Sequence, residues 1–489
     1  MASTKVPPER RLVPEEMSPW KHMELACKVH FPKADTVAST IWPMHMDAAE
    51  KVASRFSTIA EDRERWITDI ESVCKPLCEF DAYLRAFGPP SVAPIQKHLR
   101  VATACALLEG ARHADTLFAV GVLFGMPAYG DGISEGCPQS SGLFRPVTTP
   151  ADYSTSELHA GTARPIVREY VHGKLVERRG EPYDSSTVWY GKCRDRITRQ
   201  AAEALEGCGV SEQQAAWAVH QALSGDKGAI DSLCSGAPSE DARSRLSNLL
   251  NCELKSRQEV RSHHMEQPVR DSDFPRMCAD KGLGGLSSVR VSRRHCVKQG
   301  VKEVDGVMVD SLRVIDDTRR SGGTRAVRLP EKPDLPSFMW MALMAVALAR
   351  ASLRQHGRVP FITCGLDDMK AAFRTVAKAL LPMFGFVVFW SFLWGCMVAQ
   401  RAYGHLFGDR AGVSNFERVS RAAAILACTY GLVLCREYVD DFMCVDLLTG
   451  RQSAQTFLRR ILRLMGWDTE DRKHKPMGLS NVGLGVVVM

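Results

Sequence analysis

Gly431-Leu-Val-Leu-Cys-Arg-Glu-Tyr438-Val439-Asp440-Asp441-Phe442-Met-Cys-Val445 is the stretch on which the reading of this chain turns. Two short β-prone runs, Gly431–Val439 and Phe442–Val445, are separated only by Asp440-Asp441, the spacing of a tight hairpin. Carboxylates beside a buried sheet are costly unless they are solvated, paired or holding cations. An isolated Asp-Asp is most often just a polar turn. Here a second acidic site lies upstream, because Val359–Leu366 is a strand candidate that runs into Asp367-Asp368. Mg²⁺ needs only one or two protein carboxylates and completes its shell with water and phosphates. Two such ions about 4 Å apart can serve an in-line phosphoryl displacement.

Working outward, Ser337 can cap a helix over Phe338–Arg354, and Lys370–Leu380 is expected to be helical. Gly412–Tyr430 is a further helix, with Phe416, Val419, Ala423 and Leu426 on one face. Arg451–Met465 is another, with Phe457, Leu458, Ile461, Leu462 and Met465 inward and Gly466 placed to stop it. Val482–Val488 is a last strand. Upstream, residues 1–120 form a mainly helical N-terminal region, with Asp47–Leu77 and Val92–Leu117 helical and breaks at Gly88-Pro89-Pro90. Residues 121–260 are loop-rich and then helical, with Arg194–Leu205, Ser211–Ser224 and Ser239–Leu254 as the helices. Residues 261–489 carry the chemistry. The expected class is α+β.

These residues resemble the reverse transcriptase family of retroviruses and retrotransposons. Tyr438-Val439-Asp440-Asp441 matches its Tyr-x-Asp-Asp box, and Asp368-Met-Lys-Ala-Ala-Phe373-Arg374 is similar to its first metal-binding box. Leu406-Phe407-Gly408, followed by Phe416, resembles the box between them. Leu312-Arg313-Val-Ile-Asp316-Asp317-Thr-Arg319 looks like the preceding fingers strand. Lys473 and then Leu484-Gly485 fall where the family has a lysine and a Leu-Gly strand. The resemblance covers roughly residues 285–489. Departures are the missing proline before Phe407-Gly408 and Ser321-Gly322-Gly323-Thr324 in place of the family's asparagine.

The resemblance implies a right-hand polymerase, with fingers and an antiparallel palm sheet packed on helices. The implied activity is RNA-directed DNA polymerisation, using an RNA or DNA template with primer, dNTP and two Mg²⁺ ions, for which Mn²⁺ could substitute. Asp368 and Asp440 would bridge the metals, with Asp441 supporting one ion or the groups around the ions. Phe373 would exclude a 2′-hydroxyl, and Arg313 would fork onto the triphosphate. Gly408 would let the backbone approach the nascent base pair, Phe407 would belong to the same substrate-binding set, Tyr438 would pack and position, and Lys473 would give a proton or charge to pyrophosphate. The chain ends four residues after Gly485, so a C-terminally truncated retrotransposon enzyme without thumb or ribonuclease H is expected. The alternative is a catalytically inactive nucleic-acid-binding remnant.

Composition is permissive. Apolar residues make up 45% and charged residues 24% of 489, ordinary for a globular chain. Residues 251–330 hold 16 lysines and arginines against 11 acids, so +5 of the net +7 sits there, a nucleic-acid footprint or a solvated face. The sixteen cysteines include no CxxC pair, and the charged N-terminus has no apolar h-region. Reduced thiols and an intracellular place, cytoplasmic or nuclear, are expected. Cys74 and Cys78 with His98 and His113 fit no strong zinc spacing. Ala379–Ala399 carries no charge for 21 residues, long enough to span a membrane. Pro382, Gly385, Ser391 and Gly395 interrupt it, so a helix end and a buried strand are expected, without stable membrane association.

Overall fold

The computed structural model describes residues 41–87, 99–115, 140–304, 307–336, 339–378, 385–483 and 486–488, with positions 118, 121, 125 and 126. Its first helices are α1 (Ile41–Ser54), α2 (Ile59–Phe87) and α3 (Val101–Gly110). Next come α4 (Ser186–Cys208), α5 (Glu212–Ser224), α6 (Ala229–Cys234) and α7 (Glu240–Arg261), then strands β1 (Val291–Val304) and β2 (Val307–Asp316). The remainder runs α8 (Met339–His356), β3 (Ile362–Asp368), β4 (Phe386–Ser391), β5 (Cys396–Arg401) and α9 (Arg410–Gly431). After these come β6 (Leu434–Tyr438), β7 (Asp441–Leu447), α10 (Ser453–Met465) and β8 (Lys475–Gly478), ahead of a short terminal hairpin. The fold is α+β.

Strands β6-β7-β3-β8 form an antiparallel sheet in that order. Side chains alternate along each strand, so each face makes its own core. On one face Cys364, Leu366, Met443 and Val445 pack under Met341, Met344 and Leu348 of α8, with Ala48, Ala49 and Val52 of α1 beyond. On the other, Phe442, Cys444 and Cys435 meet Phe416 and Val419 of α9 and Phe457 and Ile461 of α10. Ile67 and Cys74 of α2 join that second layer. Burying an aromatic such as Phe416 contributes roughly 2 kcal/mol.

Helices before residue 110 are therefore built into the same layers as residues 339–465. Arg63 of α2, almost wholly buried, ion-pairs with Asp446 of β7. It also donates to the Gly431 carbonyl at 2.9 Å and the Leu432 carbonyl at 3.0 Å. Asp115 similarly takes a two-pronged pair from buried Arg418 of α9, at 2.6 and 2.8 Å.

The second sheet runs Val269–Arg270, β5, β4, β1, β2, antiparallel except where β1 pairs β4. Its core joins Phe386, Val388 and Met397 to Ile197 of α4, Val219 of α5 and Leu250 of α7. A buried charge network ties this sheet to the segment after β3. Arg294 of β1 holds both oxygens of Asp316, at 2.7 and 3.1 Å, and Arg374 reaches Asp316 at 2.7 Å. Glu259 of α7 completes the square, 2.5 Å from Arg294 and 2.8 Å from Arg374. Burial opposes charge on Asp316, but the two guanidinium groups prevail and hold its carboxyl down at about 2. The basic section is thus not uniformly a solvated face, since Arg290 and Arg294 lie inside the fold.

Several expectations are met closely. Helices are found over Arg410–Gly431 and Ser453–Met465, and Gly466 stops the latter at φ 97°. Other expectations need correction. The helix expected over Lys370–Leu380 shrinks to one turn, Ala372–Thr375. Ala377 bridges Gly404 instead, and Gly404 lets the Arg374 carbonyl approach where a Cβ would clash. Val482–Val488 is not one strand but a hairpin of Asn481–Gly483 with Val486–Val488; Leu484-Gly485 lies outside the described residues. In the uncharged stretch, 379–384 lies outside the described residues and β4 and β5 form a buried hairpin. Among the described residues no helix is long and apolar enough to cross a membrane.

Candidate functional site

The β6–β7 hairpin closes on the pair Tyr438↔Asp441, so its two-residue turn is Val439-Asp440, one position earlier than the sequence spacing suggests. Val439 has φ 60°. That left-handed conformation is costly for a β-branched residue. Its backbone N–H donates to Glu417 Oε1 of α9 at 2.8 Å. Glu417 is fully buried, and its carboxyl is pushed well up by burial and by the charge of Glu437. Met369 N–H also donates to the Asp440 carbonyl in the turn at 2.9 Å, and Glu470 N–H holds the Asp368 carbonyl at the end of β3 at 2.8 Å.

Asp441 lies directly opposite Asp368 in the β7–β3 ladder, and Asp440 is the next residue in the turn. Burial raises the Asp440 carboxyl and the charge of Asp368 raises it further, with Lys473 and Arg313 pulling the other way. Asp441 is pushed up to about 6, by burial first, then by Asp440 and Asp368, with which it shares a hydrogen bond. Lys473, in the turn Asp471–Lys473, places Nζ 2.6 Å from Asp368 Oδ2. Burial opposes its charge, but the bond to Asp368 and the neighbouring carboxylates outweigh that and raise its pKa. The structure therefore brings Asp368, Asp440, Asp441 and Lys473 together. Like charges this close favour a cation or a proton between them. No three His, Cys, Asp or Glu side chains among the described residues stand arranged as a ready metal cage.

A second cluster adjoins the first. Phe407 has Arg313 and Arg374 over its ring, each 5.4 Å from the centroid. Phe373 meets it edge-on at 5.8 Å and also contacts Phe416. Arg313 is exposed, and its charge reaches Asp440. Gly408, at φ 105°, has its carbonyl bonded by Thr318 Oγ1 at 2.6 Å, and a Cβ would sit 3.0 Å from the Asp316 carbonyl. Its close approach is thus to the 316–318 turn. Tyr438 is half-buried against the α8 layer.

Sequence reading did not single out Glu417 or the roles of Arg374 and Asp367. Asp367 faces away from Asp368, bonded by His474 at 2.8 Å and Gln455 at 2.9 Å, and burial raises its carboxyl. The available signal was charge inside an apolar helical pattern, since Glu417, Arg418 and Arg421 are all buried on α9. The cysteine–histidine set is also accounted for in part. Cys78 Sγ accepts from Arg100 at 3.3 Å, His113 Nδ1 accepts from Asp115 N–H at 3.2 Å, and His98 lies outside the described residues.

No protein-family profile and no curated protein sequence matches the chain. Among solved structures it is similar to a foamy viral protease–reverse transcriptase in complex with double-stranded DNA. The identity is 11% and the TM-score 0.27, covering 66% of this chain and 54% of that one. The match thus spans about half of the viral chain's length.

Proposed function

We propose that the chain is an RNA-directed DNA polymerase of retroelement origin, which adds dNTP to a primer 3′-hydroxyl on an RNA or DNA template. The observation that carries this reading is Asp368 opposite Asp441, with Asp440 beside them in a strained turn and Lys473 on Asp368. The four-stranded sheet would be the palm and the five-stranded sheet the fingers, so residues 261–489 would carry the polymerase and 1–120 and 121–260 would brace it.

The donor set fits Mg²⁺. The acids are short of positive charge, and the ion asks for only one or two protein carboxylates, so a preformed three-ligand cage is not needed. Asp368 and Asp440 would hold two ions, with Asp441 supporting one, and Mn²⁺ could replace them. When bound there, the ions supply activation of the primer hydroxyl and charge stabilisation at the leaving oxygen. Lys473 holds a proton beside Asp368, from where it can meet pyrophosphate. Arg313, exposed and lying over the Phe407 ring, would fork onto a triphosphate, and Phe373, edge-on to Phe407, would meet the sugar edge. Glu417 positions the turn that carries Asp440.

The test is dTTP incorporation by the full chain on an RNA template with a DNA primer and Mg²⁺, beside Asp440→Asn. Incorporation lost in the variant is expected. A folded protein that binds primer–template but incorporates nothing would overturn the polymerase reading in favour of a silent nucleic-acid binder.

A further inference from the structure

Away from the acidic cluster, a cavity of about 670 Å³ opens between the N-terminal half of α4 and the far side of β1 and β2. One wall is a helical stripe, Trp189, Lys192, Cys193 and Arg196, whose spacing puts them on one face. The other wall is Arg293 of β1 with Asp317, Arg319 and Arg320 just past β2, and Tyr183 lies at the edge. Five cations thus line the cavity against one acid.

Two carboxylates answer that charge only in part. Lys192 is held by Asp184 at 2.7 Å, while Arg293 and Arg320 share Asp317, at 3.2 and 3.7 Å. Arg196 feels the positive charge of Arg293 most strongly, then burial, then Arg320, and its pKa is lowered. Such crowding is what a bound anion would relieve. The aromatic component is rigid. Trp189 Nε1 donates to the Val291 carbonyl at 2.8 Å, and the Arg290 guanidinium lies 5.2 Å from its ring centroid. Cys193 offers no nucleophile at neutral pH, because burial pushes its thiol up to about 12.

Arginine forks suit phosphate oxygens, a fixed indole suits a base or sugar face, and the volume suits one nucleotide rather than a duplex. We infer that this cavity binds a nucleoside 5′-phosphate, with the phosphate taken by Arg196, Arg293 and Arg319 beside Trp189. Its source is either a free nucleotide or the phosphorylated 5′ end of a strand. The inference does not depend on polymerase activity, because Asp368, Asp440, Asp441 and Lys473 are not among the cavity's lining residues.

Binding is measured by fluorescence anisotropy on the full chain in EDTA, with a short 3′-labelled RNA carrying either a 5′-phosphate or a 5′-hydroxyl. The phosphate should tighten binding about tenfold, the effect of one or two charge-assisted hydrogen bonds. Arg196→Glu and Arg319→Glu, both at exposed positions, should abolish that difference and leave the fold intact by circular dichroism. Adenosine 5′-monophosphate competing as well as the phosphorylated strand assigns the site to free nucleotides; strand preference assigns it to 5′ ends. Equal binding of the two strands with no competition by the mononucleotide, or a preference that survives both variants, overturns the inference.

Discussion

Asp441→Asn should stabilise the metal-free protein at about pH 8 and do little for it at about pH 4. Burial, then the charges of Asp440 and Asp368, push the Asp441 carboxyl from an ordinary 3.8 up to about 6. Between those values the folded chain keeps a proton that the unfolded chain has released. The folded state then binds more protons, so stability falls as pH rises through the window and the full penalty stands above it. In a dry interior the displacement would be worth about 3 kcal/mol. Asp441 is only half-buried, and solvent screening leaves about 1 kcal/mol of that. Asparagine keeps the shape and removes the charge, so the variant should melt about 2 °C higher at the upper pH in EDTA. Mg²⁺ at that pH should raise the parent's melting temperature more than the variant's, because only the parent keeps the full acidic set. A variant no more stable than the parent at the upper pH, or equally favoured at both pH values, would refute this electrostatic account.

Arg63→Met should lower the urea midpoint by an amount equivalent to about 3–5 kcal/mol, because Asp446 is left buried without its partner. Adding Asp446→Asn should restore part of the loss, and a double variant no better than the single one would contradict the pairing. Glu417→Ala should reduce nucleotide incorporation with a smaller effect on melting, while Glu417→Gln, which can still accept from Val439 N–H, should retain most activity. Gly408→Ala should cost roughly 1–3 kcal/mol in thermal melts, from the left-handed backbone and the close Asp316 carbonyl.

Much of the fold around the acids was legible because the apolar spacing was regular. α9 and α10 fall within about two residues of their expected ends, the ordinary scatter of helix termini. The hairpin was legible too, but its turn was misplaced by one residue, because sequence alone does not suggest a valine at positive φ. The Lys370–Leu380 helix failed for a different reason. Its residues are good helix formers, yet pairing with 403–405 overrode local preference. Arg63, Arg294 and Arg418 were invisible as core residues, since charged side chains are expected outside unless their partners are known. Those partners lie tens to hundreds of positions away.

The placement of α1 and α2 over the two faces of the acidic sheet bears on how the gene can be divided. A fragment beginning near residue 261 would retain the boxes that suggest a polymerase but lose the cover over Met344, Leu348, Phe457 and Ile461. It would also strip Asp446 of its Arg63 partner. Such a piece would present a broad greasy surface on each side and tend to aggregate. An expression clone meant to report on the acidic cluster therefore has to include residues 41–87.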